Sequence, residues 1–528
     1  MKNNYYVLAK GSSKKIPLIG KSVLVGGAAG IVVVLYRITL TYAEKFSFFA
    51  YDYLREHMKW IPVAIVILAG LGYVIGQLVS NNAMISGSGI PQLEGILKGH
   101  FRKRKSWLNT LCSKFLGGTL AIMGGLSLGR EGPSIQLGAN VAEGIGNKIA
   151  ESRLERKILM ASGASAGLAA AFNAPLAGVI FALEEVFKYF SPIILLSTMS
   201  AAVTADFISK QVFGTQPIFR FELVRAIPLE NYWLLILLGV FMGIMGSIYN
   251  LFLLKVQKLY LRLHFLKANI KTIIPFFFAL TAGLFFPIIL GGGHRIVEEL
   301  TIEKGIVFLS VVFLFKLIFS AVSFGSGAPG GIFFPLLVLG ASLGGVFAQV
   351  LIQYFGYPEE LFYNFIILAM AGYFTAIVRA PITGIVLIME MTGSFESMLQ
   401  LTIVALVAYV VADLMKSPPI YDALLENLLT KEQKGEEIEG NKIVSNRKGS
   451  NKRVIIELIV QYGSLLENKK IMEIAWPTQT LLVSVKRGEM EILPQGDTVI
   501  RVGDQLSILT DVNHESIVRE YIGRMNDV

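Results

Sequence analysis

The sequence predicts an all-α polytopic membrane protein with an internal repeat and broken helices, followed by a small soluble α+β domain. Three observations carry this. The first is composition: 53% of the 528 residues are apolar and only 16% are charged, where a soluble chain carries about 25% charged residues. The second is the recurrence of apolar runs between Ile16 and Leu425, such as WIPVAIVILAGLGYVIGQLV (60–79), YWLLILLGVFMGIMGSIYNLFLL (232–254) and IVFLSVVFLFKLIFSAVSF (306–324). Runs of this kind, near 20 residues, cross a hydrocarbon core of about 30 Å as helix. The third is self-similarity between two halves, with Gly- and Pro-rich breaks inside the apolar regions.

Charge gives the orientation. The first 15 residues carry four lysines and no acid, and KGHFRKRK (98–105) carries five basic residues and no acid. Both segments are expected on the cytoplasmic side by the positive-inside rule, which also accounts for the net charge of +10 without invoking nucleic acid. YPEELF (357–362) is a candidate outside loop. The polar, basic start predicts no cleaved signal peptide. A single cysteine, Cys112, excludes an internal disulfide, and five scattered histidines offer no metal-ligand spacing. No cofactor is expected.

The repeat rests on ordered matches. APLAGVIFALEE (174–185) resembles APITGIVLIMEM (380–391), with Gly178/Gly384 and Glu184/Glu390 each 206 residues apart. LGAN (137–140) and LGAS (339–342) lie 202 apart, and SLG and SFG (127–129 and 323–325) lie 196 apart. Repeats with interrupted segments at corresponding places point to a transport site. Spacing leaves open whether they run parallel or inverted.

The breaks are GSGIP (87–91) and GREGP (129–133) in the first half and GSGAPGGIFFP (325–335) in the second. Each should end one helical element and start another, leaving free backbone N–H groups at a helix N-terminus. Within a membrane such groups are tolerated only where they are buried in protein or line a cavity. Several N-termini converging there would offer donors and positive partial charge without trapping an ion. That chemistry suits a small anion. Glu131 then reads as a tethered anion: ionised it blocks the site, and protonated or displaced it leaves room for a free ion. An ion pair with Arg130 is the competing role. Helix kinking is the alternative for any one break taken alone.

Taken together, GSGIPQLEG (87–95), GREGPSIQLGAN (129–140) and GGIFFP (330–335) resemble the three signature segments of the CLC family of chloride channels and proton/chloride antiporters, over residues 16–430. The resemblance implies the CLC fold with inverted repeats, a homodimer in membrane lipid, and one ion pathway per subunit. It implies Glu131 as the gating glutamate and Glu185, of the pair Glu184–Glu185, as the inner proton acceptor. It implies a central chloride held by the hydroxyls of Ser88 and Tyr421 and the amides of Ile332 and Phe333, with Gly87 opening the first segment. Arg130, Gly132 and Phe334 would contribute to an outer site. Ser88 and Tyr421 suit the role because neutral O–H donors bind halide without holding it as a lysine would. Helix capping for Ser88, an interfacial position for Tyr421 and a helix-end carboxylate pair for Glu184 and Glu185 are the alternatives. Gln92 stands where relatives often carry an acid. Ser88 argues against nitrate-preferring members, and the intact Gly-Ser-Gly against the fluoride-exporting branch.

Beyond the first domain (1–429), residues 430–445 read as a charged linker and 446–528 as a cytoplasmic domain with strands at RVIIELIV, TLLVSVKR and DQLSILT and a last helix over 514–524. SLLENKKIMEI and the turns Pro494–Asp497 and Gly503–Asp504 resemble the RCK C-terminal (TrkA-C) domain. That resemblance implies dimerisation and a small regulatory ligand, in some relatives a cyclic dinucleotide. The glycine-rich nucleotide-binding partner is absent, so NAD is not expected. The function expected is proton-coupled chloride exchange at the plasma membrane with both termini cytoplasmic. A passive gated chloride channel is the rival. An intramembrane enzyme using Glu131, Glu184 and Glu185 would lack a nucleophile–base pair.

Overall fold

The computed structural model describes residues 15–101, 105–188, 190–219, 221, 227–263, 267–430, 453–461, 463–488, 490–511 and 514–526. It divides into two compact units, Met1–Thr430 and Lys431–Val528. The basic N-terminal segment up to residue 14 and nearly all of the charged linker lie outside the described residues, as does the centre of the basic 98–105 loop.

The first half of the larger unit runs α1 (Lys15–Glu56), α2 (Ile61–Asn81), α3 (Ile90–Lys98), α4 (Trp107–Met123), α5 (Glu131–Ile149), α6 (Arg153–Phe172), α7 (Pro175–Phe181) and α8 (Pro192–Phe213). The second runs α9 (Trp233–Arg262), α10 (Ile274–Phe285), α11 (His294–Glu298), α12 (Gly305–Gly325), α13 (Phe333–Phe355), α14 (Phe362–Val378), α15 (Pro381–Thr392) and α16 (Met398–Leu414). A helix over 420–430 closes the unit. Seven stretches of the described residues are long and apolar enough to cross a membrane: 15–56, 58–81, 192–213, 229–262, 302–325, 333–355 and 359–378.

Small residues let these helices approach closely, as membrane interfaces require when oily surroundings give no drive to cluster. A Cβ on Gly138 of α5 would stand 2.1 Å from the Gly163 carbonyl of α6, and one on Gly344 of α13 would stand 2.6 Å from Ala369 of α14. Larger side chains at either place would force the pair apart.

The repeat is inverted, and its hydrogen bonds say so. Glu184 follows α7 and accepts from the amides of Ile382 (3.2 Å) and Thr383 (2.7 Å) in the first turn of α15. Glu390, near the end of α15, accepts from Leu176 (3.0 Å) and Ala177 (2.8 Å) in the first turn of α7. Each helix thus caps the start of the other, so the two run antiparallel about a two-fold axis across them. Gly129 and Gly331 exchange both backbone bonds, 2.6 and 2.7 Å, in the same antiparallel sense.

Two expected correspondences need correction. Gly87–Pro91 has its mate at Gly291–Arg295, and not within 325–335. Buried Lys114 donates to the carbonyls of Ile85 (2.9 Å) and Gly87 (2.6 Å), and buried Lys316 donates to those of Ile289 (2.9 Å) and Gly291 (2.7 Å). Both turns then use φ near +60° followed by a second left-handed glycine, Gly87/Gly89 and Gly291/Gly293, a conformation that costs other residues a Cβ clash. The 196-residue match of SLG with SFG is a contact: the Ser127 amide donates to Ser323 Oγ at 3.3 Å, and the true partner of Gly129 is Gly331.

The smaller unit is an antiparallel sheet ordered β1-β4-β2-β3, from β1 (Arg453–Ile459), β2 (Thr480–Arg487), β3 (Met490–Ile492) and β4 (Gln505–Asp511), with α17 (Glu515–Asn526) after it. The short β3 was not expected. Asp504, fully buried, takes a fork of two 2.8 Å bonds from Arg487 Nε and Nη2 and a third from the Arg501 amide. This carboxylate holds the Arg487 proton more firmly than usual, and the pair ties the Gly503–Asp504 turn to β2.

Candidate functional site

Three helices begin at one buried place. The Gly330 amide donates to the Gly87 carbonyl at 3.0 Å, and Gly331 pairs with Gly129, so the chain segments leading into α3, α5 and α13 lie side by side. Ser88, Glu131, Ile332 and Phe333 are each at most 1% exposed. The three breaks therefore converge inside the protein, as the sequence predicts. A Cβ on Gly132 would come within 2.7 Å of the Ser88 Cβ, which places Ser88 against the first turn of α5.

The arrangement offers donors and little full charge. The opening amides of α13, from Ile332 to Phe334, have no acceptor within the helix. Ser88 Oγ accepts from the Ile90 amide at 3.3 Å, leaving its hydrogen free to donate. The Tyr421 hydroxyl is fully buried and has no partner among the described residues. Such an orphan calls for an occupant. Lys114, the buried cation nearest Gly87, is spent on backbone carbonyls. Phe333 closes one wall, packed on Phe172, Phe181 and Phe374 with ring centroids 4.8–5.9 Å apart. A small anion would thus meet O–H and N–H dipoles framed by aromatic rings.

Glu131 occupies the first position of α5, where a helix dipole favours negative charge. Its carboxylate completes no hydrogen bond, although the amides of Glu131 and Phe334 face it. Arg130 Nε is 3.7 Å from Glu131 Oε1, too far for a bond, and Arg130 Nη2 lies 3.2 Å from His294 Nε2 instead. Arg130 and Glu131 therefore stand at ion-pair distance without a hydrogen bond between them. A narrow cleft lined by Glu44, Leu128, Arg130, His294 and Phe334 leads to the carboxylate.

Glu185 lies elsewhere, in a single π-helical turn (Ala182–Phe187) after α7. It is buried, with Oε1 unpartnered. Beside it Lys188 bonds Asp422 and sits 3.1 Å from Glu94 of α3. Glu94 also takes Lys98 at 2.7 Å. Tyr421 neighbours Asp422 in the chain, so this network joins α3, the π-helical turn and the helix over 420–430. Glu184 is not with Glu185: its side chain caps α15, which explains a carboxylate where the local dipole alone would disfavour one. Gln92 donates to the Ser86 carbonyl at 2.7 Å and so braces the turn that carries Ser88.

Sequence reasoning missed His294, Glu94 and Lys188. His294 had only the glycines before it as a signal, since what makes Gly291–Gly293 the mate of Gly87–Gly89 is backbone conformation. Among the described residues no group of three or more His, Cys, Asp or Glu is placed to hold a metal ion.

Comparison with known proteins agrees with this geometry. Residues 64–413 match the family described as voltage gated chloride channel, and residues 455–523 match the TrkA-C domain. The H(+)/Cl(-) exchange transporter ClcA of Klebsiella pneumoniae (strain 342) is 33% identical over 78% of this chain and 88% of its own. That of Vibrio parahaemolyticus is 33% identical over 80% and 92%. The crystal structure of a slow cyanobacterial Cl-/H+ antiporter superposes with TM-score 0.74 at 30% identity, covering 79% of this chain and 99% of that one. A CLC-type fluoride/proton antiporter gives 0.62 at 25% identity, covering 77% and 97%. The chain is a multi-pass membrane protein that belongs to the voltage-gated chloride channel (CLC) family and carries a TrkA-C domain at its C-terminal end.

Proposed function

We propose that this chain exchanges chloride for protons across the plasma membrane, as a homodimer with an anion pathway in each subunit gated by Glu131. The observation that carries the reading is the Glu131 carboxylate: fully buried, faced by the amides of Glu131 and Phe334, and closing no hydrogen bond among the described residues, at the shared start of α5 and α13. Chloride would rest between Ser88 Oγ, the Tyr421 hydroxyl and the amides of Ile332 and Phe333. The outer position would be framed by Arg130, Gly132 and Phe334, with Gly87 holding the turn below. An anionic carboxylate occupies that outer position and excludes the ion, and a neutral one yields it. Proton uptake and anion movement are then one event.

Glu185 serves as the inner proton acceptor. Burial with one oxygen unpartnered among the described residues supports a group that changes protonation, and the Lys188–Asp422–Glu94–Lys98 network beside it balances two cations against two carboxylates. Glu184 is reassigned to capping. The exchange activity for which the bacterial relatives are named supports exchange over passive conduction. Both termini are placed in the cytoplasm, with 430–445 as linker, and the TrkA-C unit is a candidate receptor for a small ligand such as a cyclic dinucleotide.

The test is purified protein in liposomes with chloride and pH followed together. A chloride gradient should drive protons uphill in the wild type. Glu131→Gln should abolish the proton movement and keep anion flux. Persistence of coupling in that variant would remove the gate assignment.

A further inference from the structure

We propose that His294 is a positioning residue of the gate, holding the Arg130 guanidinium off the Glu131 carboxylate so that the carboxylate stays free. The inference rests on the reading of Glu131 above. His294 opens α11, and its ring is stacked on Phe334 with centroids 3.9 Å apart and planes within 14°. Its Nε2 is 3.2 Å from Arg130 Nη2. A guanidinium has only donors, so Nε2 accepts, and the ring is the neutral tautomer with its hydrogen on Nδ1.

Arg130 therefore stands between two acceptors, an imidazole nitrogen it hydrogen-bonds and a carboxylate it meets only at a loose ion-pair distance of 3.7 Å, with Nε making no hydrogen bond among the described residues. Guanidinium–carboxylate bonds are the stronger kind. Once the imidazole acceptor is removed, a small torsion brings Arg130 onto Glu131 and locks the gate as an ion pair. Phe334 covers one face of the imidazole, the Gly292 backbone lies alongside Nδ1, and Nδ1 has no partner among the described residues.

The charged groups facing the ring are Arg130 just before α5, Arg37 from α1 and Lys316 from α12, with Glu131 and Glu44 lining the same cleft. Lys316 is committed to the carbonyls of Ile289 and Gly291. Arg37 is committed to the Ala170 carbonyl and the side chains of Asn173 and Ser209. Arg130 is the cation left to choose.

The experiment uses full-length protein in liposomes, reading proton-coupled chloride flux against pH. His294→Phe keeps the stack and removes the acceptor, and its midpoint should move about one pH unit toward acid, because an adjacent guanidinium stabilises the ionised carboxylate. His294→Gln keeps an acceptor without the ring and should track the wild type. On an Arg130→Gln background His294→Phe should move nothing. Equal shifts in the Phe and Gln variants, no shift in either, or a shift that survives Arg130→Gln would overturn the proposal. Should His294→Phe not fold, His294→Leu carries the same three comparisons. A wild type without coupling sinks the gate reading itself, whereas a coupled wild type with unmoved variants sinks this inference alone.

Discussion

At the scale of single residues, a membrane interior makes every unpaired polar atom expensive, so the unpartnered ones carry information. Glu131, the Tyr421 hydroxyl and Glu185 Oε1 are three such groups. Glu131 was legible in the sequence because an acid inside a Gly- and Pro-rich break has no ordinary place in an apolar run, whereas Tyr421 and Glu185 were reached only through the family resemblance. Lys114 and Lys316 look alike in sequence, yet the structure spends them on carbonyls. The capping partners of Glu184 were not legible for a related reason, since they lie about 200 residues away and no local pattern announces them. At this scale Glu185→Gln should lower proton flux toward that of protein-free liposomes while chloride still crosses. Proton flux equal to the wild type in that variant would move the inner role to another group.

At the scale of elements, the broken helices and the repeat were readable from Gly, Pro and matched tetrapeptides, but the register was not. The offset drifts between 202 and 206 because insertions fall in connecting turns. Gly291–Gly293 shares only glycine with Gly87–Gly89, and backbone conformation, which no side chain reports, is what relates them. The short β3 escaped for want of length. The reciprocal caps yield a symmetric prediction: Glu184→Ala and Glu390→Ala should each cost about 1–2 kcal/mol, seen as similar losses of thermal stability in detergent. A loss for one and none for the other would show that the caps are not equivalent.

At the scale of the whole molecule, the chain joins a transport unit to a TrkA-C unit with separate cores, and the composition break after Leu425 made that division visible. Asp504→Ala removes the fork on the largely solvated Arg487 and the bond to the Arg501 amide, and should destabilise the smaller unit by about 1–2 kcal/mol. Limited proteolysis should then release that unit faster, while the ratio of protons to chloride stays that of the wild type, because Glu131 and Glu185 belong to the other unit. A changed ratio would mean that the smaller unit takes part in coupling itself. The central claim, that helix starts hold a halide and Glu131 competes for the neighbouring berth, is tested most directly by diffraction from crystals grown in bromide. Anomalous density is predicted against Ser88 Oγ and the Tyr421 hydroxyl in the wild type, with a further peak where the carboxylate had been in Glu131→Gln. Bromide elsewhere, with none touching Ser88 or Tyr421 in either protein, would contradict the account.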